Sequence, residues 1–224
     1  MNPKSAAQIQ QAILDAKFLP LFTTGDEGIA KTVLEASYKA GVRAFEFTNR
    51  TENAATLFKT LKAFCATQLP GMLLGIGTIK NKEQAQTFLD LDADFFISPL
   101  ILPEIFEITQ QHQKLWIPGC ATSTEIGMAE NWGLRMIKIF PARQLGGPAF
   151  IKAILAVFPT MQVLVTGGVE PTEADLRSWF ESGVVAAGIG SQLFPKAILH
   201  DADALYGHLK KITSTIETIK KTQK

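Results

Sequence analysis

Residues 136–190 read MIKIFPARQLGGPAFIKAILAVFPTMQVLVTGGVEPTEADLRSWFESGVVAAGIG. Three short apolar runs, Met136–Phe140, Val163–Thr166 and Val184–Ala187, alternate with two stretches of helical spacing, Ala149–Val157 and Glu173–Glu181. Short branched runs suit strands buried on both faces, and apolar residues three and four apart suit helices with one buried face. Glu170-Pro171-Thr172 reads as a helix start and Gly183 as a helix stop. Strand, helix, strand, helix, strand predicts a parallel sheet.

The same alternation runs back to the N-terminus. Further strands are predicted at Phe18–Phe22, Ala44–Thr48, Met72–Ile76, Phe95–Ile97 and Leu115–Ile117. Helices are predicted at Ile29–Tyr38, Ala54–Phe64, Glu83–Leu89 and Thr124–Trp132, with Gly41 and Gly133 as stops. Eight strands in roughly 200 residues, with no long insertion, predict an α/β fold: a closed (β/α)8 TIM barrel. An open doubly wound sheet is the alternative, but no Gly-x-Gly-x-x-Gly follows the first strand. An extra N-terminal helix, about Ser5–Ala16, precedes the barrel. After Asp201, Leu205, Leu209, Ile212, Ile216 and Ile219 recur at helical spacing, which predicts a last barrel helix with a solvated lysine-rich end. No linker or composition break divides the chain, so residues 1–224 read as one domain.

Composition narrows the function. The chain has 224 residues, is 46% hydrophobic, and carries 22 Lys plus Arg against 21 Asp plus Glu. A net charge of +1 gives no basic field, so neither nucleic acid nor a membrane surface is expected as partner. Cys65 and Cys120 are too few for a disulfide framework or a four-cysteine zinc site, and read as reduced core residues of a cytoplasmic protein. Residues 1–10 are polar, without the apolar segment of a signal peptide, and no stretch of 18 apolar residues exists. His112, His200 and His208 lack metal-ligand spacing, the last two falling in the predicted C-terminal helix. No histidine-built metal site is expected.

Active sites of such barrels lie at the carboxyl ends of the strands. Lys138 sits between Ile137 and Ile139 in a run that should be buried. A buried lysine either pairs with a carboxylate or loses its proton, and a neutral amine is a nucleophile toward carbonyls. Glu46, Thr48 and Arg50 share one face of the second strand, with Phe45 and Phe47 on the other. They read as a self-satisfied ion pair, or as a proton-transfer group beside a carboxylate clamp. Thr166-Gly167-Gly168 and Gly188-Ile189-Gly190-Ser191 end strands seven and eight, where barrels hold phosphate on backbone N–H groups. Gly146-Gly147-Pro148 is a further candidate anion turn. Thr78 after Gly75-Ile76-Gly77 offers a hydroxyl to a carboxylate, and Pro99 after Ser98 offers a rigid wall. Cys120 is a weaker candidate nucleophile, with no histidine near it in sequence.

These motifs together resemble the class I aldolases acting on 2-keto-3-deoxy-6-phosphogluconate (KDPG), with their 4-hydroxy-2-oxoglutarate (KHG) and 6-phosphogalactonate relatives. The resemblance runs from Phe18 to Phe194. It rests on residues 43–50 (RAFEFTNR), 75–78 (GIGT), 97–99 (ISP), 118–122 (PGCAT), 137–142 (IKIFPA), 166–169 (TGGV) and 188–191 (GIGS). It implies Lys138 as the Schiff-base lysine and Glu46 as the proton shuttle. It implies Arg50 and Thr78 on the pyruvyl carboxylate, with Pro99 and Phe140 as pocket walls. Thr166, Gly167, Gly168, Gly190 and Ser191 are implied on the distal phosphate end. It further implies a homotrimer, no metal or other cofactor, and a phosphorylated 2-keto acid as the small-molecule substrate. Two positions depart from the pattern. Arg143 stands where many relatives are acidic, and Thr23-Thr24 where some place an arginine. A sugar-phosphate isomerase and a non-catalytic sugar-phosphate-binding barrel are the competing readings.

Overall fold

The computed structural model describes residues 4–222. Its strands are β1 (Phe18–Phe22), β2 (Ala44–Thr48), β3 (Leu73–Gly77), β4 (Phe95–Ile97), β5 (Leu115–Ile117), β6 (Gly119–Cys120), β7 (Met136–Ile139), β8 (Gln162–Thr166) and β9 (Ala186–Ile189). Its helices are α1 (Ala6–Ala16), α2 (Glu27–Lys39), α3 (Ala54–Gln68), α4 (Lys82–Asp90), α5 (Pro103–Gln111), α6 (Ser123–Asn131), α7 (Gly147–Val157), α8 (Glu173–Glu181) and α9 (Ala202–Thr222). All strand pairs are parallel, in the order β5-β4-β3-β2-β1-β9-β8-β7-β6.

The two ends of that order, β5 and β6, are one stretch of chain interrupted at Pro118. β5 pairs with β4 on one side, and β6 pairs with β7 on the other. Pro118 has no N–H to give a ladder, yet its carbonyl accepts from Lys138 N–H at 2.8 Å. The nine strands therefore form eight staves and the sheet closes, which gives the predicted (β/α)8 barrel.

Alternation along each strand sorts the side chains. Phe45, Phe47, Ile137, Ile139, Val163 and Val165 point outward into the helical layer. Leu19, Ala44, Leu73, Phe95, Leu115, Met136 and Leu164 point inward, where Ile9 and Ile13 of α1 join them. The extra N-terminal helix thus plugs the amino-terminal mouth of the barrel. Ser5 holds α1 in register through a reciprocal cap with Gln8. Two residues above Ala44 and Met136, on the same inner face, come Glu46 and Lys138. The polar site is the layer directly above an apolar floor.

Several elements differ from the sequence expectation. β3 and β9 run later than predicted, through Gly77 and Ile189, because Gly77 and Gly188, like Gly75 inside the predicted strand, are ladder residues. Their missing side chains leave room inside the barrel: a Cβ on Gly75 falls 2.2 Å from the Phe95 ring, and one on Gly188 falls 2.4 Å from Thr166 Oγ1. β7 stops at Ile139 rather than Phe140, since Pro141 cannot continue the ladder. His200 lies before α9, not in it. The five predicted apolar residues of α9 are all buried, packed against α2 and α8.

Candidate active site

Lys138 and Glu46 meet inside the barrel with Nζ and Oε1 3.9 Å apart. Lys138 is 3% exposed and Glu46 is fully buried. Lys138 N–H is held by Pro118, and the Lys138 register partners are Gly119 and Leu164. Glu46 stands opposite Leu21 and Gly75. Neither carboxylate oxygen of Glu46 has a hydrogen-bond partner among the described residues. Burial pushes Glu46 above the usual carboxylate range, against the pull of the Lys138 and Arg50 cations. Burial likewise pushes Lys138 below the usual ammonium range, with Glu46 opposing and Arg50 assisting. Both groups are driven toward their neutral forms, an amine nucleophile beside a carboxyl able to trade protons.

Above this pair, Phe140 lies with its ring centroid 5.3 Å from Lys138 Nζ. Arg50 donates from Nε to Thr78 Oγ1 at 2.9 Å. Thr78 has φ +64°, a left-handed conformation rare for a β-branched residue. Such strain persists where surrounding contacts over-determine it, and clusters at functional sites. The Thr23 hydroxyl bonds the Thr48 hydroxyl, so the end of β1 presents neutral groups beside Arg50. The Pro99 main chain lies 2.4 Å from where a Cβ on Gly119, a register partner of Lys138, would stand.

A cavity of about 390 Å³ opens over the ends of β7, β8, β9, β1 and β2. Arg50, Phe140, Thr166, Gly167, Gly168, Gly190 and Ser191 line it. Lys138 and Glu46 do not line it, but Phe140, 5.3 Å from Lys138 Nζ, and Leu21, the register partner of Glu46, do; Thr78 meets it only through Arg50. The hydroxyl of Thr166 is buried with no hydrogen-bond partner among the described residues. Thr24, Val169, Gln192 and Lys196 also line the cavity and were missed by the sequence reading. The signal for Lys196 was present: a cation in the same loop as Gly190-Ser191.

Other candidates fall away. Cys120 is buried and its thiol is pushed up to about 12 by burial, so it supplies no thiolate. Gly146 and Gly147 spend their N–H groups on Arg143 and Ala142 carbonyls, which leaves no donors for an anion there. Arg143 is partly exposed, and its side chain bonds Gly168 and Asp175. A larger cavity, about 480 Å³, lies between α9 and the start of β2, at the opposite pole. Its Arg43 is committed to the carbonyls of Tyr38 and Val42. No group of three or more His, Cys, Asp or Glu among the described residues is placed to hold a metal. No described helix is long and apolar enough to cross a membrane.

The family model "Aldolase: KDPG and KHG aldolase" matches residues 9–210. The 2-dehydro-3-deoxy-phosphogluconate aldolase of Pseudomonas aeruginosa is 28% identical over 200 residues, covering 89% of this chain and 88% of the relative. The KHG/KDPG aldolase of Escherichia coli is 30% identical over 183 residues, 82% of each chain. Among solved structures, the KDPG aldolase of Legionella pneumophila, with pyruvate captured as a covalent carbinolamine, superposes with a TM-score of 0.83 at 25% identity. That match covers 92% of this chain and 98% of the other. This chain belongs to the KDPG and KHG aldolase family.

Proposed function

We propose that this protein is a class I aldolase, a carbon–carbon lyase that cleaves KDPG to pyruvate and glyceraldehyde 3-phosphate. The observation that carries this reading is the buried Lys138–Glu46 pair, 3.9 Å apart, whose neighbours Phe140 and Leu21 line a cavity with Arg50 and glycine turns.

In this reading the neutral Lys138 amine attacks the C2 ketone, and the Glu46 carboxyl gives its proton to the C2 hydroxyl, which leaves as water; a protonated imine remains and Glu46 is left as the carboxylate. The imine cation is the electron sink, so no cofactor is needed. Glu46, as carboxylate, takes the C4 hydroxyl proton. The C3–C4 bonding pair moves into the imine, leaving an enamine and releasing the aldehyde. Glu46 returns its proton to C3, and water then hydrolyses the imine to pyruvate and free Lys138. Positioned acid–base groups of this kind supply about 10²–10⁴-fold. Arg50 and Thr78 bind the C1 carboxylate as a coupled donor pair, and Pro99 and Phe140 exclude water around the imine. Thr166 bonds a hydroxyl of the departing half. Gly167, Gly168, Gly190 and Ser191 hold its phosphate on N–H and O–H donors.

The same anion end accepts the second carboxylate of 4-hydroxy-2-oxoglutarate, which would release glyoxylate by the same steps. The 6-phosphogalactonate epimer differs only in one hydroxyl configuration and is the alternative sugar acid. We further propose a homotrimer in the cytoplasm. Two buried free cysteines suit a reducing compartment, and the molar mass in solution tests the assembly.

The deciding experiment is borohydride reduction in the presence of pyruvate, followed by peptide mass spectrometry. A reduced pyruvyl adduct on Lys138 supports the mechanism and leaves only the aldehyde half to be assigned. Bound pyruvate with no adduct removes the Schiff-base step and favours an isomerase or a binding protein.

A further inference from the structure

We infer that Arg143 is a positioning residue for the substrate's distal anion: it holds the Gly167-Gly168 turn so that two backbone N–H groups face the cavity. The inference rests on the proposed reading of that end of the cavity as the anion end.

Arg143 grips the turn twice. Its backbone N–H donates to Gly167 O at 3.0 Å, and its Nε donates to Gly168 O at 2.9 Å. Both carbonyls of the turn therefore point at Arg143. The peptide bonds following Gly167 and Gly168 are trans, and across a trans peptide the N–H points opposite to the C=O. The N–H groups of Gly168 and Val169 accordingly point away from Arg143. Neither donates to an acceptor among the described residues. Gly167, Gly168 and Val169 all line the cavity, whereas Arg143 does not. The outward donors and the inward brace are two sides of one turn.

The brace is itself fixed. Arg143 Nη2 meets Asp175 Oδ1 at 2.5 Å. The other oxygen, Oδ2, accepts from Glu170 N–H at 2.8 Å and from Trp179 Nε1 at 3.1 Å. The guanidinium carbon lies 5.2 Å from the centroid of the Trp179 ring. Gly168 has φ +78°, and a Cβ there falls 2.4 Å from Arg143 Cβ, so only glycine lets the turn pass this close. The first turn of α8 thus anchors Arg143, and Arg143 anchors the turn. A cation at this position acts behind the anion site, through the backbone, and not as a ligand in it.

The test compares wild-type full-length protein with Arg143→Met, Arg143→Lys and Asp175→Asn. Steady-state KM is measured for KDPG and for its dephospho analogue, with inorganic phosphate as a competitive inhibitor. Losing a charge-assisted hydrogen bond to the turn is expected to raise KM for the phosphorylated substrate about tenfold more than for the dephospho analogue. The phosphate inhibition constant should rise in parallel, with partial rescue by Arg143→Lys. Asp175→Asn leaves the arginine present but loosened, and should move KM the same way. Two results overturn the inference. Equal changes for both substrates would make Arg143 a general structural residue. A lower KM for KDPG in Asp175→Asn would mean that the freed guanidinium binds phosphate itself. If wild-type protein traps no pyruvate, the aldolase reading fails alone, and phosphate affinity by calorimetry still decides the brace. About tenfold weaker binding in Arg143→Met supports it, and unchanged binding overturns it.

Discussion

The Glu46 carboxylate occupies the space where Gly77 would carry a side chain: an ideal Cβ on Gly77 falls 1.7 Å from Glu46 Oε1. β2 and β3 pair in register from Ala44↔Leu73 to Thr48↔Gly77, so Glu46 leans one step along the barrel into the gap that Gly77 leaves. The glycine is a condition of the carboxylate's position.

Gly77→Ala therefore tests the placement of Glu46 without removing its chemistry. The methyl group must displace the carboxylate from its present place beside Lys138. Turnover should fall by about 10²–10⁴-fold, the range of a lost acid–base group. Trapping of pyruvate as a reduced adduct should persist, because imine formation needs chiefly the amine. Equal loss of trapping and turnover would show that the variant has lost the barrel interior as a whole.

The buried pair should cost stability at neutral pH. Glu46 is raised in the folded state from about 4.5. Between that value and its folded one, the unfolded chain binds fewer protons, so stability falls as pH rises. Lys138 is lowered from 10.5, so stability returns as pH rises from its folded value toward 10.5. Replacing both by Met removes both effects, and unbranched apolar replacements of buried pairs are often stabilising by about 1–4 kcal/mol. The Glu46→Met, Lys138→Met double variant should melt higher than wild type at pH 7, inactive throughout. A lower melting temperature would show that the pair holds the barrel together.

The same coupling sets the sign of a kinetic shift. The carboxylate of Glu46 pulls the Lys138 pKa upward against burial. Glu46→Gln removes that pull, so the pH midpoint for trapping pyruvate on Lys138 should move down. Stopped borohydride reactions over a pH series read the midpoint directly. An upward move would place Glu46 out of electrostatic contact with the reacting amine.

Thr78 shows how strain and binding oppose one another. At φ +64° it occupies a conformation that glycine adopts freely, while its hydroxyl accepts from Arg50. Thr78→Gly should relieve about 1 kcal/mol of strain, net of glycine's added unfolded-state entropy. It should also release Arg50 and raise KM for keto acids about tenfold. Higher stability with an unchanged KM would remove Thr78 from the carboxylate site.

Features set by local pattern were legible in the sequence. Lys138 stands out because two isoleucines flank it, and Glu46 because strand parity puts it opposite the phenylalanines. Features set by contact across the barrel were not. Arg143 and Asp175 are 32 residues apart, and nothing in either neighbourhood announces their pairing. Gly77 and Gly188 read as turn residues because glycine is usually punctuation. Their reason lies on neighbouring staves, in Glu46 and Thr166. The interruption at Pro118 was also hidden, since two residues of β6 carry too little pattern to read as a strand.

Thr166 offers the last test. Its hydroxyl is buried beside Gly188 without a hydrogen-bond partner among the described residues, and both residues line the cavity. A buried hydroxyl without a partner costs about 1–3 kcal/mol, and valine has nearly the same shape. Thr166→Val should therefore raise stability by about 1 kcal/mol in the free protein. With a polyhydroxylated substrate bound, the hydroxyl finds its partner, so the variant should lose about tenfold in kcat/KM for KDPG. The loss should be smaller for 4-hydroxy-2-oxoglutarate, whose departing half carries fewer hydroxyls. Because Val differs from Thr chiefly in hydrogen bonding, a gain in melting temperature alongside a substrate-dependent loss isolates the hydroxyl's role. Equal losses on both substrates would assign Thr166 to the shape of the pocket instead.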